Sequence, residues 1–380
     1  MALGRTKPVP IALAALLALG VLAVAACADV LGIQDRSLDP LAEGGGGGGG
    51  GGGDAGAGSE AGPSCADPCP MATGLDHPFS VAADESNVYW VEYGGADDTN
   101  GSVKSCPITG CGAGPTVYAE LQAAPRALIS DGQNVYWGTI SASAINGAIW
   151  SCPIAGCGGS PTKIASADTP FGIAVDSKNV YWAEFYQQTV NRAPKAGGTA
   201  ALVYDGGGTN TELNGPSLLV MDTSFIYIND QNDDVYRVPL GGGDLVSMYM
   251  NGSPEVGVFG LAVDSSDVYI GNLGGIFHMS KTAASGAKAL VPNLTDVVDL
   301  KVDPAGGVVY WADFGSAGND GTVGKIALAG GAPTLLHQSL ATPEAVAVNS
   351  TYVFWLSNGT LQSDGVTVTD GTGVLYRTAK

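Results

Sequence analysis

Histidine is scarce in this sequence, and basic residues are few beside acidic ones. It carries three histidines, and sixteen lysines and arginines against thirty-six aspartates and glutamates, for a formal charge of −20. A surface this acidic repels phosphate backbones and anionic headgroups, which excludes nucleic acid as a partner. The same acidity is expected to keep a crowded surface protein soluble. Neither HExxH nor GxSxG occurs, so the local signatures of zinc proteases and of serine hydrolases are missing. Long hydrophobic runs are missing too. The N-terminal apolar run, Ile11 to Ala26, falls short of the ~20 residues a membrane-spanning helix needs.

What is present at the N-terminus has the layout of a secretory leader. Arg5 and Lys7 precede the apolar run, and Cys27 follows it. Val24-Ala25-Ala26-Cys27 resembles the bacterial lipoprotein lipobox, small residues before a cysteine. The resemblance implies cleavage before Cys27, lipidation of its thiol and acylation of its new amine. Residue 28 is Ala rather than Asp, which under the same resemblance implies an outer-membrane destination within the cell envelope. Several acyl chains would hold firmly, each buried methylene contributing ~0.8 kcal/mol. Losing Arg5 and Lys7 with the leader takes the charge to −22.

Residues 28–64 include ten consecutive glycines, Gly44–Gly53, followed by "DAGAGSEAGPS". Such a segment cannot bury enough apolar surface to offset its ordering entropy, so it is expected to be a tether. No strand-then-helix pattern flanks the glycines, which argues against a phosphate loop. The expected organisation is a leader at 1–26, a lipidated cysteine and flexible linker at 27–64, and one repeat domain at 65–380.

The repeat domain is built on one phrase. "FSVAADESNVYW", "RALISDGQNVYW" and "FGIAVDSKNVYW" end at Trp90, Trp137 and Trp182; four further copies end at Ile228, Ile270, Trp311 and Trp355. The anchor residues Asp84, Asp131, Asp176, Asp222, Asp264, Asp303 and Asn349 recur every 39–47 residues. That period suits four short strands with their turns, one propeller blade. Each copy reads as an alternating apolar strand, a tight Asp turn, an aromatic β-branched strand, a variable loop, a third strand ending in a glycine-rich hairpin, and a fourth strand. The expected fold is therefore all-β, a seven-bladed propeller.

The "VYW" phrase after an apolar strand and Asp resembles YWTD and NHL-like propeller repeats, and most of all acidic bacterial lipoproteins with "VYW…CPxxGCG" blades. The Thr-Asp half of YWTD is missing, since the copies read "YWVE", "YWGT", "YWAE" and "YWAD". Receptor-type YWTD propellers usually have six blades, so their ligand-binding residues do not carry over. Ring closure is also legible. The last repeat stops at "GVLYRTAK", after its third strand, while residues 69–76 align with a fourth strand that has no blade of its own. Pairing the two would complete the seventh blade and remove an open edge.

Seven cysteines remain to be placed. Aligned on "RAPKAGGT" (192–199), Cys106 and Cys152 stand where Ala193 does, and Cys111 and Cys157 where Gly198 does. Each pair is expected to flank a four-residue hairpin turn on facing strand ends, within disulfide reach and in an oxidising compartment. A zinc site would need all four sulfurs around one ion, and they belong to neighbouring blades. The C-x-x-C redox spacing is absent. Cys65 and Cys69 are expected to pair as well, pinning the tether where it enters the ring.

Catalytic chemistry finds little footing. His77 precedes a proline before the first blade, His278 lies in a third strand and His337 is expected to follow a fourth. The acid-rich loops 92–101, 229–236 and 313–321 could offer oxygens to Ca²⁺. Asp230, Asn232 and Asp234 alternate as in an EF-hand, but the next glycine and the twelfth-position Glu are absent. Solvated turns, without catalytic or metal-binding residues and without a cofactor, are the expectation. The anchor acids read as turn formers and the Tyr-Trp pairs as blade packing. The functional expectation is a monomeric lipid-anchored binding or scaffolding module for a protein or glycan, its recognition surface on the second-to-third-strand loops. The alternative is a hydrolase or lyase of the propeller type, Ca²⁺-dependent or not, at the mouth of the central channel. Acids converging on that mouth would favour the alternative.

Overall fold

The computed structural model describes residues 65–380 apart from 95–98, 141–146, 207–212, 251–256, 283–285, 317–318 and 361–367. The expected leader and tether, with Cys27, lie outside the described residues. The described chain folds into seven four-stranded antiparallel sheets. In each, the first strand is innermost, and the inner strands of successive sheets adjoin one another around a ring. Blade 1 runs from its inner strand Pro78–Ala83 through Asn87–Glu92 and Gly101–Pro107 to an outer strand Thr116–Gln122.

The second strands explain why the sheets stack. "NVYWVE" alternates nothing: from Val88 to Glu92 every residue is buried. An antiparallel strand reads this way only when both faces of its sheet are covered. Trp90 packs with Phe354 and Leu356 of blade 7, while Tyr89 packs with Leu128 and Trp137 of blade 2. Successive side chains point to opposite faces, so the adjacent Tyr and Trp bind the two neighbouring blades. The outer strands, by contrast, are mostly exposed along their free edge.

Each Asp turn is closed by its own repeat. Asp84 Oδ1 accepts the amides of Ser86 and Asn87, both at 2.7 Å, and Oδ2 accepts the Tyr89 hydroxyl at 2.8 Å. The same three bonds recur at Asp131–Tyr136, Asp176–Tyr181, Asp222–Tyr227 and Asp264–Tyr269.

The ring closes as the sequence implies. Strand Cys69–Leu75 pairs antiparallel with the final strand Gly373–Ala379, from Cys69 opposite Arg377 to Leu75 opposite Gly373. Asn349 Nδ2 donates to the Asp84 carbonyl, and Arg377 donates to the Ile108 carbonyl, so blade 7 is also bonded to blade 1.

Two expectations need correction. Cys111 and Cys157 do not sit on strand ends. Third and fourth strands begin to pair only at Ser105–Thr116 and Ser151–Thr162, so each second cysteine lies in the connection between them. The reason is an added turn after the first: Gly110 N bonds Pro107 O, then Gly114 N bonds Cys111 O. His337 does not follow the fourth strand of blade 6. It lies inside it, Thr334–Leu340, with its ring stacked 5.0 Å from that of Trp355 in blade 7.

Candidate functional site

The starts of the inner strands pair with the ends of the second strands, as in Pro78–Glu92, Pro125–Thr139, Pro170–Glu184 and Pro343–Ser357. The described ends of the second-to-third-strand loops therefore lie around one mouth of the ring. The longest are 358–372, 93–100, 140–147 and 314–320, in blades 7, 1, 2 and 6.

The fourth position of "YWVE" fixes the floor of this face. Glu92, Glu184, Asp230 and Asp313 are all buried. Each accepts a backbone amide from the loop entering its own inner strand: Asp76, Asp168 with Thr169, Asn214, and Asp296. Glu92 and Glu184 also take the indole N–H of Trp90 and Trp182. Burial raises the Glu184 carboxyl, against bonds from Trp182 and the Thr169 amide. Burial likewise pushes Asp230 up to about 6 in spite of three amide bonds.

On this floor stands Arg126, near the start of the inner strand of blade 2. It is only 3 % exposed. Its guanidinium lies 4.7 Å from the Tyr93 ring centre and 5.0 Å from those of Phe79 and Phe171. One Nη donates to the Tyr93 hydroxyl at 3.1 Å, while Nε has no hydrogen-bond partner. A cation held by ring faces loses water and is repaid in part by their quadrupoles, by up to ~2 kcal/mol where desolvated. Phe171 continues the aromatic surface to Phe185 and then Tyr186, whose ring is half exposed.

The acids gather at the seam of blades 6 and 7. Asp299 Oδ2 accepts the Val346 amide, bonding one inner strand to the next, and its Oδ1 accepts Lys301 Nζ at 2.6 Å. Glu344, one residue into its inner strand, accepts Asn358 Nδ2 at 3.0 Å. The residue keeps partial exposure, but its carboxyl is densely enclosed. Burial first, then the charges of Asp296 and Asp299, push it up to about 8, with Arg126 pulling the other way. Asp296 is pushed up to about 6 by burial and by Asp313, and its Oδ1 has no hydrogen-bond partner. The mouth therefore holds an aromatic-wrapped cation on the side of blades 1–3 and a protonatable acid group on the side of blades 6–7. Sequence reading found neither, because Arg126 and Glu344 replace Phe79 and Phe171 at one position of the repeat and look like scatter.

A second polar cluster lies at the closing seam. Asp76 Oδ1 is 2.9 Å from His77 Nδ1, and His77 Nε2 is 3.6 Å from Asp370 Oδ1 in the long loop of blade 7. Beside it a cleft of about 290 Å³ is lined by Asp76, Glu92, Lys104 and Glu120 among others. The Asp76 bond raises the His77 ring against its burial.

The six described cysteines stand as three disulfides, Cys65–Cys69, Cys106–Cys111 and Cys152–Cys157. The 229–236 loop turns on itself: Asp230 Oδ1 accepts the amides of Asn232 and Asp234, and Asp233 Oδ1 accepts that of Val258. The three histidines lie in different blades or seams and do not meet.

No family model and no curated protein sequence matches the chain. Among solved structures it is similar to the WD40 beta propeller domain of Doa1, at 14% identity and a TM-score of 0.57, over 81% of this chain and 96% of that one. It is similar to the computationally designed Ika8 protein at 15% identity and a TM-score of 0.52, over 81% and 98%. A chain of a nidogen/laminin complex aligns with 65% of this chain and 97% of its own at 17% identity, with a TM-score of 0.46. At these identities the likeness concerns the fold alone. Residues 65–380 form a β-propeller of seven blades, closed by a strand from the domain's beginning.

Proposed function

We propose that this propeller is a non-catalytic binding module, held at the cell envelope by lipid on Cys27, with its ligand seated over the channel mouth. The resemblance to lipobox and YWTD-type sequences supports the location and the repeat type. The observation that carries the binding reading is Arg126, wrapped by Phe79, Tyr93 and Phe171 and continued outward by Phe185 and half-exposed Tyr186. An aromatic shelf with a few fixed polar groups suits a sugar ring or an aromatic peptide side chain. The test is an array of envelope oligosaccharides and peptides probed with the Cys27→Ser protein. One class should bind, and Tyr186→Ala should weaken it about tenfold with no change in melting temperature. Indifference to Tyr186→Ala, or an empty array, would refute the reading.

One observation favours a hydrolytic alternative. Glu344, with its carboxyl pushed up to about 8, would hold a proton at neutral pH beside the side chains of Asp296 and Asp299. Pairs of carboxyls with separated pKa values are the usual equipment of general acid–base catalysis. Turnover of a glycan from the same array, abolished in Glu344→Gln, would establish it.

A further inference from the structure

We propose that His77 and Asp370 are the protein ligands of a divalent transition-metal ion at the seam between blades 7 and 1. The argument starts from the imidazole. His77 is 3 % exposed, and its Nε2 has no hydrogen-bond partner. A buried ring nitrogen without a partner is costly unless something else fills its lone pair or takes its proton. Its other nitrogen, Nδ1, lies 2.9 Å from Asp76 Oδ1. In the neutral ring that bond holds the proton on Nδ1 and leaves the Nε2 lone pair free, the arrangement in which a carboxylate orients a metal-binding histidine.

The lone pair faces Asp370 Oδ1 across 3.6 Å. A charge-assisted hydrogen bond between them would be ~2.7–2.9 Å, so this gap is not one. It is a gap that one bridging ion would fill. With bonds of ~2.0–2.1 Å to nitrogen and oxygen, an ion bridging them subtends an angle of about 120°, within reach of tetrahedral coordination. Among the described residues, Asp76, His77 and Asp370 are the one group of three whose ligand atoms lie within 4.8 Å of one another.

The two sides of the site are set by the fold. His77 is held by its carbonyl, which accepts the Tyr93 amide, and the Asp76 amide is held by Glu92 Oε2. Asp370 comes from the blade 7 loop and is exposed, which leaves an approach from solvent. Imidazole with carboxylate suits Zn²⁺, Co²⁺ or Ni²⁺ rather than Ca²⁺. With two protein ligands the remaining positions are open to water or to oxygens of a molecule in the adjoining cleft.

The three histidines make the test simple. Zn²⁺ is titrated into the ¹⁵N-histidine-labelled Cys27→Ser protein at pH 7.5, followed by imidazole nitrogen shifts and by calorimetry. One equivalent should bind, the His77 Nε2 resonance should move, His278 and His337 should not, and Ca²⁺ should have no effect. His77→Gln should abolish binding. Asp370→Asn, a change at an exposed loop residue, should weaken it at least tenfold with melting unchanged, and Asp244→Asn, at an exposed acid between the third and fourth strands of blade 4, should leave it as it was. No binding below about 1 mM, a shift at His337 in place of His77, or full affinity in Asp370→Asn would overturn the proposal.

Discussion

The Asp–Tyr bond is the smallest unit that repeats, and it varies as a unit. Five blades pair an anchor Asp with the Tyr five residues on. In blade 7 the anchor is Asn349 and the residue five on is Phe354, so the acid and the hydroxyl are missing together. A buried hydroxyl without its acceptor is penalised, and so is a half-buried carboxylate without its donor. Tyr227→Phe and Asp222→Asn should each cost about 1–2 kcal/mol, and the double change to the blade 7 pair clearly less than their sum. Urea unfolding of the four proteins measures this. The acid also sets a pH window. Burial raises Asp222, but Lys281 and the amides of Ser224 and Phe225 outweigh it and hold the carboxyl at about 2. Its contribution is therefore present above the unfolded value near 4 and lost as pH falls toward 2, so Asp222→Asn should flatten acid unfolding there. Glu344 has the opposite sign. Its folded value of about 8 lies above the unfolded 4.5, so stability is present below 4.5 and lost as pH rises toward 8. Glu344→Gln should melt higher than wild type at pH 8, with the gap closing by pH 5. Much of this was legible: the Asp turn was read from "D-S-S" and "D-S-K". The hydroxyl half was not, because five residues of separation across a turn carries no pattern until the hairpin register is known.

At the scale of the strand, the end of the third strand decides how one blade grips the last. Lys195, Lys281 and Lys380 occupy that place in blades 3, 5 and 7, and bond Asp131, Asp222 and Asp303 of the preceding blade at 2.6–2.7 Å. Each ammonium also lies over a tyrosine ring of that blade. Blades 1 and 2 carry Ile108 and Ile154 instead, packed against the neighbouring core beside the disulfides. The Cys152–Cys157 link closes a short loop, so Cys157→Ser should cost on the order of 2–3 kcal/mol at most, read by thermal melting. The start of the third strand is restricted differently. A Cβ on Gly101 would lie 2.4 Å from Pro125 Cδ, where blade 1 meets the entry of blade 2. Gly101→Ala should therefore cost about 1–3 kcal/mol by crowding. The repeat alignment exposed the cysteines because they break a pattern. It was blind to the lysines, since a Lys among Ile and Leu at a strand end looks like an exposed position.

For the whole molecule, blade number and closure were readable because both depend on counting strands, and seven anchors with one surplus strand admit few rings. The mouth was not readable, since it is assembled from single positions on separate inner strands. Closure carries its own prediction. A chain beginning at Phe79 lacks the strand that covers Gly373–Ala379, while one beginning at Pro63 keeps it. An ordered residue loses about 1–2 kcal/mol of conformational entropy, so only a strand that pairs and packs justifies its own order. The Phe79 chain should be cleaved first near its C-terminus by protease or aggregate through the bare edge, and the Pro63 chain should melt like the longer protein. Equal protease resistance would reopen the blade count.

The clasp has a mechanical meaning as well. Any load transmitted through the residues ahead of Cys65 reaches the ring at the outermost strand of blade 7. The Cys65–Cys69 disulfide lets that load bypass the residues between them and pass directly to Cys69, opposite Arg377. Pulled across its length, the strand would peel from Cys69 toward Leu75, one rung after another. Blade 7 would then keep three strands, still bonded to blade 1 through Asn349 and Arg377, while the other six kept all four of theirs.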